Sequence, residues 1–210
     1  SGTYDFASTL DLGAVFSLDL IRHFKTEGFF PSDLFDARQQ AFPSTGTFDG
    51  TEANEVDAQL FVRRTQDDPS GSPTYTAFEP FTSGTFRARG FQFRTVLTSN
   101  DPAQDIRVFQ LGYSAKLEQR TDQGTGQTIT SSAGVTTVPF TSPFFVGTSA
   151  LGNLNQHLPT VNVTAQNLAS GDFFEISNIT ATNFQIHFKN SSNASISKQF
   201  TFTAVGFGKG

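Results

Sequence analysis

Few side chains in this sequence could do chemistry. The chain has no Cys, which excludes a disulfide framework, a thiolate zinc site, an iron–sulfur cluster and a cysteine nucleophile. Its three histidines, His23, His157 and His187, are too far apart in sequence for two of them to ligate one metal from one strand or helix face. Gly147-Thr148-Ser149-Ala150-Leu151 starts like a nucleophile elbow. The closing glycine is missing, and no helical pattern follows, as that elbow requires. Gly124-Thr125-Gly126-Gln127 lacks the third glycine and the strand–helix setting of a dinucleotide loop. The carboxylates Asp67-Asp68 and Asp101…Asp105 fall in turn-rich segments without calcium-loop spacing. The expectation is a non-enzymatic protein with no metal and no cofactor.

What remains is hydrogen-bonding capacity in loops. Asn153-Leu154-Asn155-Gln156-His157 lies between Gly152 and Pro159. It reads either as a solvated connection or as a surface offering donors and acceptors to a ligand. Asn153, Asn155, His157, Asn190 and Asn193 are the expected ligand-binding residues, placed in loops at one end of the C-terminal half. Asn-x-Ser/Thr triplets begin at Asn162, Asn178, Asn190 and Asn193. They matter only on a eukaryotic secretory route.

The elements that must position these residues show period-2 alternation. From Phe86 to Leu97, Phe91, Phe93, Thr95 and Leu97 share one face, against Gln92, Arg94 and Val96 on the other. Asn100-Asp101-Pro102 is a turn signal before a second strand from Ile106 to Leu117. Further strands are expected at Leu10–Phe16, Leu18–Phe24, Ala58–Arg64, Val161–Ala165, Phe173–Ile176, Phe184–Phe188 and Gln199–Val205. Helix signals are confined to single turns at Asp33–Gln40 and Thr51–Asp57. The pattern predicts an all-β chain of two antiparallel β-sandwich modules in tandem, jelly-roll or lectin-like. The apolar-poor stretch Glu118–Gly126 reads as a linker, giving modules of residues 1–120 and 121–210; the alternative is one continuous sandwich with this stretch as an ordinary loop.

Composition narrows the partners. The 14 Lys and Arg against 19 Asp and Glu leave a net charge of −5, with no basic stripe to displace counterions from nucleic acid. No apolar run approaches the roughly 20 residues of a membrane helix. Phe is the anomaly, at 25 copies with 3 Tyr and no Trp. Phe29-Phe30, Phe144-Phe145 and Phe173-Phe174 break alternation, so one ring of each pair is expected to leave its sandwich core. Such a ring suits a subunit interface better than a sugar platform, where the polar handles of Trp and Tyr are useful.

The run Thr85–Ser99, with Phe78-Glu79-Pro80-Phe81 before it, resembles the C-terminal region of tailed-phage host-specificity proteins, the central tail-tip fibres. So do Val138-Pro139-Phe140, Pro159–Val163, Ile179–Phe184 and the closing Phe200–Gly208, a strand also similar to the small sandwiches of H-type lectins. The resemblance implies a homotrimer at the tail tip of a virion, held among other tail proteins. There it would contact a glycan or an outer-membrane protein on the host cell surface. The alternatives are a carbohydrate-binding module of a secreted bacterial protein and a tail spacer without ligand.

Overall fold

The computed structural model of the chain describes residues 1–31 and 53–209. The fold is all-β, antiparallel and sandwich-like. In the first half, β1 (Gly2–Asp5), β2 (Leu10–Phe29), β3 (Val56–Thr65), β4 (Glu79–Pro80), β5 (Gly84–Ser99) and β6 (Asp105–Leu117) form one sheet. Its order is β4-β3-β5-β2-β6, with β1 beside the far end of β5.

The two early strands expected from alternation are one strand, β2, of 20 residues. Its N-terminal half pairs with β5 and its C-terminal half with β6. Between Asp11 and Phe16 the register with β5 shifts, and Leu12 to Val15 stand against Arg89 alone. Extra residues on one strand bend it. Asp11 holds the bend, its Oδ1 accepting from Gly13 N at 2.8 Å and from Arg89 Nε at 3.1 Å.

The bend carries the β2–β6 ribbon across the β3–β5 layer. Tyr113 of β6 stacks on Phe93 of β5 at 4.0 Å between ring centroids, although the two strands flank β2 on opposite sides. The Val56 side chain occupies the place a Cβ on Gly28 would take, 2.3 Å away. One sheet thereby supplies both layers around a core that includes Leu18, Leu20, Leu60, Val62, Phe91 and Phe93.

In the second half, β7 (Gln119–Asp122), β8 (Ile129–Thr130), β10 (Thr160–Gln166) and β13 (Gln199–Phe207) form one sheet around β13. The facing sheet is β11 (Phe173–Ser177), β12 (Asn183–Lys189) and β9 (Val135–Pro139), in that order. Phe184, Ile186 and Phe188 of β12 point inward against Phe200, Phe202 and Ala204 of β13. Phe184 meets Phe202 at 5.2 Å, and Phe188 meets Phe200 at 5.6 Å. Each such ring contributes about 2–3 kcal/mol by burial.

Three sequence expectations are revised. The apolar-poor stretch at Glu118–Gly126 is not a linker. Gln119–Asp122 is β7, paired along β13 from Phe207 to Ala204, so the change of sheet falls at Glu118 rather than after residue 120. Val56 and Asp57, expected in a helical turn, open β3; Thr51, Glu52 and the turn at Asp33–Gln40 lie outside the described residues. The Phe144-Phe145 pair exposes neither ring. Phe144 is buried in the second core and Phe145 in the first, because the chain between β9 and β10 passes between the two halves.

Candidate functional site at the junction of the two halves

The segment from Gly147 to Leu158 links β9 to β10, and its own hydrogen bonds fix its path. Gly147 has φ +91°, and a Cβ there would stand 1.8 Å from the Asn153 carbonyl oxygen. Only glycine accommodates both conditions. Asn153 Oδ1 accepts from Thr148 N at 2.9 Å, and Asn153 O accepts from Gln156 N at 3.1 Å. Asn155 takes φ 60°, a left-handed conformation that asparagine tolerates. The loop is pinned to the first half by Thr148 Oγ1, which donates to Asp11 O at 3.0 Å. Asp11 therefore serves both the β2 bend and the loop.

A cleft of about 360 Å³ lies where the loop crosses the first sheet. Leu10, Leu12, Leu18 and Phe145 form apolar walls. Phe207 and Leu151 also line it, with Lys116, Asn153 and His157 as its polar groups. His157 lies 5.9 Å from Phe145 in a nearly parallel stack and 6.4 Å from Phe207 edge-on. Outside the cleft the same loop exposes Leu154 at 53% and Leu158 at 42%, and Phe207 is itself 40% exposed. The loop, tied by its own hydrogen bonds, thus keeps these apolar side chains in water.

Of the five residues expected to bind a ligand, Asn153, Asn155 and His157 share this loop. Asn190 and Asn193 do not join them. They form the turn after β12, where Asn190 Oδ1 accepts from Ser192 N and Ala194 N, both at 3.0 Å, and Asn193 takes φ 61°. The junction loop leaves from the opposite end of that sheet, where Pro139 pairs with Asn183. The seven residues of β12 separate the two groups, about 20 Å at the usual strand rise. His187 bonds Ser195 Oγ at 2.8 Å and His23 bonds Ser114 Oγ at 2.7 Å, so both rings are engaged on polar strand faces.

Sequence reasoning missed a buried ion pair at the start of the second half. Asp122 is buried, and its carboxylate accepts from Gly124 N at 2.7 Å, Thr141 N at 2.7 Å and Thr141 Oγ1 at 2.9 Å. Arg120 Nη1 adds a bond at 3.3 Å, while Arg120 Nε donates to Gly208 O at 2.7 Å and its guanidinium lies 3.8 Å from the centroid of the Phe144 ring. Burial alone would raise the Asp122 pKa; the bonds from Gly124, Thr141 and Arg120 outweigh it and hold the carboxyl below its ordinary value. The available signal was Arg120 and Asp122 at i and i+2, on one face of a strand otherwise polar. Among the described residues no cluster of three His, Asp or Glu side chains converges as a metal site.

No protein-family model, curated protein or solved structure matches the chain.

Proposed function

We propose that this chain is a non-enzymatic structural and host-attachment module of a bacteriophage tail tip, acting as a homotrimer against a glycan or outer-membrane protein of the host. The observation that carries the reading is the junction loop, a backbone-locked segment presenting Leu154, Leu158 and Asn155. The polar side chains around it are largely engaged in structural bonds, so what the surface offers a partner is shape and apolar area. The resemblance of Thr85–Ser99 and Phe200–Gly208 to tail-tip fibres supplies the virion setting. The two halves share the Phe144-Phe145 segment, one ring in each core, as suits a module that must transmit contact without bending.

Binding of the fluorescently labelled chain to a panel of bacterial strains tests the reading. Labelling is expected on cells of a host strain and is expected to fall at least fivefold for Leu154→Asp combined with Asn155→Gly. Glycine keeps the left-handed backbone while removing the amide. Equal labelling by the variant, or no labelled strain, would count against attachment through this loop.

A further inference from the structure

A second recess is built where the chain leaves β3. The segment from Gln66 to Phe78 doubles back along that strand: Thr76 N donates to Arg64 O at 2.9 Å, and Arg64 N donates to Thr76 Oγ1 at 3.1 Å. Asp67 Oδ2 accepts from Thr74 N at 2.8 Å, closing the loop on itself. Asp68 ties the loop to β5, taking Arg89 Nη2 at 2.8 Å while accepting from Ser70 N and Oγ. The loop is therefore shaped before any ligand arrives, and it encloses an open polar cavity of about 520 Å³.

Arg64, Arg87, Gln66, Thr74 and Thr76 supply the polar lining, with Asp67 as its one carboxylate. The neighbouring Arg89 is already neutralised by Asp11 and Asp68. Arg64 pairs with Glu79 at 3.7 Å, both side chains well exposed, and lies 5.8 Å from the centroid of the Phe86 ring. Arg87 is exposed on β5 and has no ion pair among the described residues. Asp67 is turned to the Thr74 amide. Two arginines thus line a cavity with a single, engaged carboxylate. A guanidinium fork matches a carboxylate or phosphate in two-point contact. The Thr hydroxyls and the Gln66 amide can pair with sugar hydroxyls in both directions.

We infer that this cavity is a binding site for an anionic saccharide, a sugar carrying a carboxylate or phosphate that spans Arg64 and Arg87. The inference needs only the cavity and stands apart from the tail-tip reading.

Isothermal titration of the full chain with trigalacturonate, glucose 1-phosphate, neutral maltotriose and inorganic phosphate tests it. At least one charged sugar is expected to bind tenfold or more tighter than both maltotriose and inorganic phosphate. Preference for trigalacturonate assigns a carboxylate ligand, and preference for glucose 1-phosphate a phosphorylated one. Arg64→Gln with Arg87→Gln is expected to weaken that binding at least tenfold, whereas Arg107→Gln, outside the cavity, leaves it unchanged. Should the double variant unfold, Thr74→Val, which keeps the backbone bond to Asp67, is expected to weaken binding several-fold. Equal binding of charged and neutral sugars, inorganic phosphate binding as tightly as either charged sugar, undiminished binding by the folded variants, or no binding of any probe would each overturn the site.

Discussion

At the scale of single residues, the decisive group is Asp122. Its side chain is almost wholly buried and accepts four hydrogen bonds, one of them from Arg120. Removing one partner of a buried, bonded ion pair leaves the other uncompensated. Asp122→Ala is therefore expected to destabilise the fold by about 3 kcal/mol, measured by urea unfolding. The pH dependence has a defined sign. The carboxyl of Asp122 is held low, and so are those of Asp172, by Lys198 and the Ala169 amide, and Asp5, by Arg94. A carboxylate with a depressed folded-state pKa contributes stability that is fully present above its unfolded value and lost as pH falls through the folded one. Thermal stability is thus expected to hold from neutral pH down to the ordinary carboxylate range, near 4, and to fall below it. The exposed Asp5–Arg94 pair contributes little to that fall, whereas Asp172 is 6% exposed and shares in it, so Asp122→Asn should flatten the fall in part. An unchanged acid limb in that variant would contradict the assignment to Asp122.

At the scale of elements, Phe144 and Phe145 matter most. Consecutive residues of an extended chain point to opposite sides, and here the two sides are two different cores. Phe145 meets Phe16 edge-on at 6.0 Å, and Phe144 meets Phe140 edge-on at 5.0 Å. Phe145→Ala is expected to cost about 3–5 kcal/mol and to uncouple the halves. By calorimetry the native chain should show one cooperative transition and the variant two; a single transition in both would show that Phe145 does not couple them.

The same pair marks how far the sequence could be read. The long alternating runs in β5, β12 and β13 were legible because one face of each is apolar and buried; β6 alternates in sequence with one face only partly buried. The break at Phe144-Phe145 was legible as a break, but its destination depends on where the first sheet lies, which no local pattern encodes. β7 was hidden because its inward groups, Arg120 and Asp122, are charged and reach burial only by pairing. β2 read as two strands divided at Ser17, although Phe16, Leu18 and Leu20 alternate across that position, and its bend at Leu12–Val15, inside the first of the two, went unread. The loop residues Asn153, Asn155 and His157 were visible as a polar cluster, whereas the exposure of Leu151, Leu154 and Leu158 follows from the loop's path and has no local signature.

At the scale of the whole molecule, the first half curls one sheet into two layers and the second packs two separate sheets. A backbone bond from Ser17 N to Lys209 O at 2.8 Å and another from Phe145 N to Phe207 O at 2.8 Å cross the junction. The C-terminal strand thus reaches both the first sheet and the junction segment. Among the described residues few Phe remain for contact with other chains: Phe109, Phe173 and Phe207 are the well-exposed ones. The apolar surface for assembly shifts accordingly, from surplus rings to the leucines around the junction.

That shift makes the mass of the assembly in solution the most direct test of the attachment-module reading. Native mass spectrometry of the purified chain at about ten micromolar should give three times the 22.8 kDa chain mass, and Leu154→Asp with Leu158→Asp should reduce it to a single chain. A native chain that stays at 22.8 kDa under the same conditions would contradict the trimer.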